Sequence, residues 1–186
     1  MRRVLLLLLF ILILSISFSG CSVLQKSLQE PGDVIINESS VLALVQDAVI
    51  RFWHVSGGGE ITNTGLESFT YNNMDYRYLG EDINTKEKLD SYLGKVYSKE
   101  AIDLYVKAAG IIEYDGKIAQ PNADGGDLRM WESATVVKIE DKDTKKDCTI
   151  KVPYPDDAGM EPELVIITIE KSQDGNWVIS NTPGSF

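Results

Sequence analysis

The sequence is poor in cysteine and histidine, the residue types on which many catalytic and metal sites depend. Its 186 residues contain only Cys21, Cys148 and His54 of these two types. Two isolated thiols cannot build a cysteine-ligated zinc site, and a lone histidine lacks the second histidine of a metal pair. His54 has no obvious serine or cysteine partner for nucleophilic catalysis. We therefore expect no metal, no cofactor and no enzymatic activity.

Basic residues are also few. The chain has 18 Lys and Arg against 28 Asp and Glu, a net charge of −10. Such a surface repels nucleic acid and anionic headgroups, which excludes nucleic acid as a partner class. The acidity favours a cationic partner, or a partner with a cleft built for acidic ligands, although solubility alone also explains it.

Only one long apolar run is present, and it lies at the start of the chain. It extends from Val4 to about Phe18 and follows Arg2 and Arg3. This pattern is typical of a secretory signal peptide rather than a permanent span. The run ends in "FSGC", which resembles a bacterial lipobox with phenylalanine in place of the usual leucine.

The sequence thus predicts a lipoprotein signal peptide over residues 1–20, a tether over 21–38 and one domain over 39–186. Cys21 would carry the lipid and anchor the protein to the outer face of the cell membrane; an uncleaved anchor helix is the alternative. Loss of the leader leaves 16 basic against 28 acidic residues, a net charge of −12. Cys148 would then have no disulfide partner, and its strand-like context "DCTIKV" predicts a buried, inert thiol.

Helical patterns cluster early in the domain and strand patterns late, which favours a single-domain α+β fold. We expect an antiparallel sheet with about three helices packed on it and one protruding loop between a strand and a helical turn. The predicted helices are "SSVLALVQDAVIRFWHV" behind a serine N-cap, "NTKEKLDSYLGKVY" capped by Asn84 or Thr85, and "SKEAIDLYVKAAG" from Ser98 to Gly110. The predicted strands are "LESFTY", "MDYRYL", "GIIEY", "KIAQ", "ATVVKIE", "CTIKVPY", "ELVIITIE" and "NWVIS", with hairpin signals at Asn72-Asn73, Asp115-Gly116 and Asp174-Gly175.

Three further patterns invite a chemical interpretation. The run "SGGGE" lacks the lysine of a phosphate loop and follows a helix, so it predicts a helix stop. Tyr71, Tyr76 and Tyr78 alternate with polar residues, which fits strand packing better than a carbohydrate-stacking platform. Asn122, Asp124 and Asp127 resemble the start of a calcium loop, but its later ligands are missing.

The segment "IAQPNADGGDL", residues 118–128, carries no bulky side chain between its apolar ends. An acidic residue, Asp124, is followed by Gly125 and Gly126, which offer a pliable backbone. A plain turn needs fewer residues than this. The composition predicts an exposed acidic loop that can project into a partner.

Three stretches resemble the IseA-type inhibitors of DL-endopeptidases from Gram-positive cell walls. They are "YRYLGEDINTKEKLDSYLGKVYSKEAIDLYV", "GKIAQPNADGGDLRMWESATVVKI" and, more weakly, "VLALVQDAVIRFWHVSGG". The middle stretch is the most specific, because Gln-Pro, Asp-Gly-Gly and Trp occur in order. The family's secreted members need not carry a lipid, whereas Cys21 suggests that this protein is tethered.

The resemblance implies a non-catalytic α+β domain with a loop that enters the active-site cleft of an NlpC-type cysteine endopeptidase. We expect this domain to be a monomer. Asp124 would be the acidic tip, and Gly125 and Gly126 would give the loop its shape. Trp131, just behind the loop, is expected to pack beneath it. The complete implied inhibitory loop is Gln120, Pro121, Asn122, Ala123, Asp124, Gly125, Gly126 and Asp127.

Two other functions stay open at this point. A lipid-anchored binding protein would hold a ligand between sheet and helices, in a cavity lined by the "YRYLGEDI" region and Trp131. A hydrolase would need a catalytic group that the residue patterns do not supply.

Overall fold

The computed structural model describes residues 36–61, 65–123 and 125–185. These residues all belong to one compact unit, Asp33–Phe186. The predicted signal peptide, the predicted lipidation site Cys21 and nearly all of the predicted tether lie outside the described residues. Within the described ranges, no helix has the length and apolar character needed to cross a membrane.

Helix α1, Glu38–Gly57, is the longest helix of the described chain. Its N-cap is Asn37 rather than the expected serine. The Asn37 side chain accepts a hydrogen bond from the backbone N–H of Ser40, and the Ser40 hydroxyl accepts one from the backbone N–H of Asn37. This reciprocal pair forms a capping box. Gly58, with φ of 103°, ends the helix, as the glycine run predicted.

Two shorter helices follow: α2, Lys86–Leu93, and α3, Lys99–Ala108. Thr85 caps α2 and Ser98 caps α3, each accepting from a backbone N–H three residues later. The sequence pattern extends α2 as far as Tyr97, but the helix ends at Leu93, with Gly94 as its C-cap. Tyr97 is still buried and forms a parallel bridge with Ile179, so tertiary packing explains its apolar neighbourhood.

The first sheet has the strand order β1-β2-β4-β3, all antiparallel. Its strands are β1 Ser68–Tyr71, β2 Met74–Tyr78, β3 Ile112–Tyr114 and β4 Lys117–Pro121. Positive φ angles at Asn72, Asn73, Asp115 and Gly116 fit the two-residue hairpin turns that these dipeptides predicted.

The second sheet has the order β5-β6-β7-β8, also antiparallel. Its strands are β5 Thr135–Lys142, β6 Lys145–Val152, β7 Glu163–Lys171 and β8 Trp177–Ile179. Short 3-10 turns, Trp131–Ser133 and Asp156–Ala158, precede β5 and β7. The predicted α+β single-domain class is confirmed for the described residues, with the strands divided between two sheets.

The hydrophobic core lies where α1 packs on the second sheet. Val41, Val45 and Ala48 of α1 are fully buried, as are Ile150 and Ile167 on the strands. Cys148 is buried in the same cluster, and burial raises the pKa of its thiol to about 11. A thiol with so high a pKa is a poor nucleophile, in agreement with its predicted structural role.

Candidate functional site

The predicted inhibitory loop connects the two sheets, running from the end of β4 to the 3-10 turn before β5. The first two predicted loop residues, Gln120 and Pro121, belong to β4 itself. Gln120 is only 6% exposed, and its side-chain amide donates to the carbonyl of Ser56 at the end of α1, at 3.0 Å. The segment that leaves the sheet therefore begins at Asn122.

Asn122 fixes the start of this loop to the first sheet. Its backbone N–H donates to the carbonyl of Asp75 on β2 at 2.8 Å. Its side-chain oxygen accepts from Nη1 of Arg77 at 3.3 Å, while Nη2 of the same arginine donates to the Ser56 carbonyl at 2.6 Å. The N–H of Ala123 donates to the Pro121 carbonyl at 3.0 Å, so the chain turns away from the strand at this point.

Asp124, the predicted acidic tip, lies outside the described residues. The two glycines behind it are described, and neither has a φ in the left-handed region. A Cβ atom built on Gly126 would meet open space, and one on Gly125 would lie at an ordinary contact distance, 3.8 Å, from the Trp53 ring. Within the described part of the chain, neither glycine is required by its backbone conformation or by its packing.

Asp127 fixes the end of the loop. Its carboxylate accepts from the backbone N–H of Arg129 at 3.0 Å, from Nε of Arg129 at 2.9 Å and from Nε1 of Trp131 at 3.0 Å. Burial alone would raise the pKa of Asp127, but these hydrogen bonds and the nearby guanidinium lower it below its ordinary value. The pKa of Arg129 is raised, chiefly by its hydrogen bond to Asp127.

The end of the loop is also joined to the second sheet and to α1. The N–H of Met130 donates to the carbonyl of Pro153, just beyond β6, at 2.8 Å. The Gln46 side chain on α1 donates to the carbonyl of Trp131 at 3.2 Å. Trp131 is 6% exposed, so it packs beneath the loop, as the sequence predicted. A groove of about 180 Å³ remains between the loop and α1, lined by Phe52, Trp53, Gly126 and Arg129 among others.

The single histidine has a partner that the sequence did not reveal. His54 Nε2 lies 2.6 Å from Oδ2 of Asp82, whose Oδ1 accepts from the N–H of Glu60 at 2.8 Å. Burial alone would raise the pKa of Asp82, but the hydrogen bonds from His54 and Glu60 lower it. This pair joins the end of α1 to the segment after β2, so its role is to stabilise the fold. Over the described ranges, no three potential metal ligands come together.

The aromatic residues of the first sheet pack on one another. The ring of Phe69 stacks on that of Tyr114 at 4.5 Å and lies 4.7 Å from that of Tyr78. Tyr71 meets Tyr76 edge to face at 6.2 Å. These ring-to-ring contacts agree with the strand-packing interpretation favoured by the sequence.

Trp131 and the "YRYLGEDI" region, which were expected to line one ligand cavity, line separate cavities in the described part of the chain. Trp131 lines the 180 Å³ groove, whereas Tyr78, Leu79 and Gly80 line a separate depression of about 240 Å³. A larger open cavity of about 480 Å³ lies between the helices α2–α3 and the β7–β8 hairpin. Its lining combines charged side chains, among them Asp90, Lys99 and Glu170, with the apolar Tyr97, Ile102 and Val178.

Comparison with known proteins gives two matches. The family model described as "IseA DL-endopeptidase inhibitor" matches residues 34–184, which include every helix and strand described above. A protein of Bacillus subtilis (strain 168), named "Uncharacterized protein YoeB", is 29% identical over 127 residues, covering 65% of this chain and 69% of the relative. The resemblance found in the sequence is thereby confirmed. The chain belongs to the IseA DL-endopeptidase inhibitor family, whose function is to inhibit endopeptidases rather than to catalyse a reaction.

Proposed function

We propose that the protein is a lipid-anchored inhibitor of NlpC-type peptidoglycan DL-endopeptidases, which it blocks by inserting the acidic loop after β4 into the active-site cleft. It would work outside the cytoplasm, attached to the Gram-positive cell membrane through Cys21. Family membership supports an endopeptidase as the partner. The enzyme class and the mode of inhibition are our inference from the loop.

The observation that carries the proposal is the pair of glycines, Gly125 and Gly126. The described structure needs glycine at neither position, because φ is not left-handed and a Cβ atom added at either would meet no atom closer than 3.8 Å. A chain with two adjacent glycines gives up side-chain contacts and gains backbone entropy in the unfolded state, both of which lower stability. Close approach of a partner's surface to the loop backbone would explain why both glycines are present.

The chain is fixed by hydrogen bonds both before and after the two glycines, which fits a loop that projects from the fold. Asn122 is bonded to β2, and Asp127 is bonded to the segment that leads into β5. Only the four residues 123–126 lie between these two attachments. A short segment with fixed ends loses little conformational entropy on entering a cleft.

The chemistry of the substrate explains the acidic tip. Peptidoglycan stem peptides contain D-glutamate and often diaminopimelate, which bear free carboxylates. An enzyme that selects them presents cationic or hydrogen-bond-donating groups in its cleft, where Asp124 would bind without offering a scissile bond. A charge-assisted hydrogen bond of this type contributes about 1.5–3 kcal/mol. The expected mature charge of −12 would also accelerate encounter with a positive cleft.

The test is an inhibition assay with the chain from Asp33 to Phe186, the compact unit that holds the whole described core. A purified NlpC-type endopeptidase digests peptidoglycan, and the release of fragments is followed at increasing inhibitor concentration. The variants are Asp124→Lys and, as a control with the same change of net charge, Asp157→Lys in the exposed turn Asp156–Ala158.

We expect wild type and Asp157→Lys to inhibit equally and Asp124→Lys to fail. Equal loss of inhibition in both variants would mean that the enzyme recognises the overall charge of the inhibitor and not the loop tip. No inhibition by wild type across several such enzymes would overturn the proposal and favour the ligand-binding alternative, for which bound ligand in native mass spectrometry is the readout.

A further inference from the structure

We propose that Asp127, Arg129 and Trp131 act together as a clasp that positions the inhibitory loop, and that Asp127 itself does not contact the enzyme. This inference rests on the proposed function, since it concerns how the loop is presented. The two acidic residues of the "DGGD" segment then have different roles: Asp124 binds the enzyme, and Asp127 positions the loop.

The side chain of Asp127 is already fully engaged. It is 14% exposed, and its two carboxylate oxygens accept from three separate donors on Arg129 and Trp131. An enzyme group that bound this carboxylate would have to displace these donors, leaving the Arg129 guanidinium, 19% exposed, without its main partner. Asp127 is therefore a poor candidate for contact with a partner.

The remaining contacts of Arg129 join the clasp to the second sheet. The guanidinium of Arg129 lies 5.1 Å from the centre of the Trp131 ring, and its Nη1 lies 3.7 Å from a carboxylate oxygen of Glu163 on β7. Trp131 is buried between the loop and α1. The clasp thus fixes the direction of the chain immediately after Gly126 by tying it to the second sheet.

Such an arrangement lowers the cost of binding. If the chain after Gly126 were loose, the loop would sample many directions, and only a fraction of molecules would present it correctly. Apparent affinity falls in proportion to that fraction. The clasp is expected to act mainly on the rate of association, because it changes how often the free protein is ready to bind.

The experiment uses a side chain that is buried in the free protein, Trp131. Trp131→Phe removes the Nε1 donor to Asp127 and retains an aromatic ring in the core. Trp177→Phe on β8 is the matched control, because the buried Nε1 of Trp177 has no hydrogen-bond partner among the described residues. Asp127→Asn and the double variant Asp127→Asn/Trp131→Phe complete a cycle.

Two quantities are measured on each variant. One is the inhibition constant, with its association rate, against a purified NlpC-type endopeptidase. The other is the heteronuclear 15N NOE of the Gly125 and Gly126 amides in the free protein, which a purely structural loss elsewhere in the core would not change.

We expect Trp131→Phe and Asp127→Asn each to weaken inhibition by about tenfold, mainly through slower association, and to lower the NOE of both glycines. The double variant should inhibit as well as the less effective of the two single variants, because Asp127 and Trp131 belong to one hydrogen-bonded unit. Trp177→Phe should inhibit as well as wild type.

Weakened inhibition by Asp127→Asn with normal inhibition by Trp131→Phe would show that Asp127 touches the enzyme, which overturns the clasp. Inhibition unchanged in both single variants would also overturn it while leaving the proposed function intact. A wild-type protein that inhibits no NlpC-type enzyme would overturn the function and this inference together, whatever the NOE values of the free protein.

Discussion

Arg77 and Gln120 lie opposite each other on β2 and β4, and both donate to one acceptor, the carbonyl oxygen of Ser56 at the end of α1. The helix is thus joined to both strands beside which the loop begins. Gln120 was predicted as the first residue of the inhibitory loop, but its side chain points to the helix and is buried. It supports the loop from inside the fold.

This arrangement predicts that Gln120→Leu separates stability from inhibition. The Ser56 carbonyl keeps its bond to Arg77, so no buried acceptor is left unpaired, and the loss should be about 1 kcal/mol in the free energy of unfolding. Urea denaturation measures that loss, and the inhibition constant should equal that of wild type. A tenfold weaker inhibitor that is still folded would mean that Gln120 reaches the enzyme.

The first two glycines of the run Gly57–Gly59 should respond differently to alanine. Gly57 is helical and a Cβ there meets no atom within 4 Å, so Gly57→Ala should stabilise by up to about 1 kcal/mol through helix propensity. Gly58 has φ of 103°, and its Cβ would come within 2.3 Å of Leu66, so Gly58→Ala should cost at least about 1–2 kcal/mol. Thermal and urea unfolding of the two variants would decide; equal effects would contradict the helix-stop role.

Gly126→Leu tests the proposed narrow cleft. The added Cβ atom would meet no atom within 4 Å among the described residues, so we expect the free energy of unfolding to change by less than about 0.5 kcal/mol. Inhibition should weaken by at least tenfold, because a cleft that fits glycine does not fit leucine. Full inhibition by this folded variant would show that the enzyme does not approach the loop backbone closely.

The His54–Asp82 pair predicts how stability depends on pH. The pKa of folded Asp82 lies below its ordinary value of 3.8, because hydrogen bonds from His54 and Glu60 outweigh the effect of burial. The pair should therefore stabilise the fold fully above about pH 4 and lose this contribution as the pH falls through the folded pKa. Urea unfolding of wild type and Asp82→Asn should differ at pH 6, and the difference should shrink as the pH falls below about 4. A difference that stays constant as the pH is lowered would contradict the assignment.

Local features of the fold could be predicted from the sequence. Asn72-Asn73 and Asp115-Gly116 identified their hairpins because few residues adopt the positive φ angles that such turns need. Thr85 and Ser98 marked the starts of two helices because short polar side chains satisfy free backbone N–H groups. These signals depend only on neighbours within a few residues.

Features that depend on distant contacts were not predictable. A strand pattern does not say which strands pair, so the division into two sheets remained hidden. Asp127 and Asp124 look alike in the sequence; the clasp that distinguishes Asp127 depends on how the chain folds back to place Trp131 against α1. Asp82 lies 28 positions from His54, and nothing in their local sequence connects them.

The most direct test of the account asks whether the loop tip reaches the catalytic cysteine of the enzyme. The chain from Asp33 to Phe186 contains a single cysteine, the buried Cys148, so Asp124→Cys introduces one new thiol at the proposed loop tip. Under mild oxidation with an NlpC-type endopeptidase, we predict a disulfide between residue 124 and the catalytic cysteine, released by reductant and located by mass spectrometry. Asp157→Cys should form none. Absence of this link, or equal linking by Asp157→Cys, would contradict insertion of the loop into the active site.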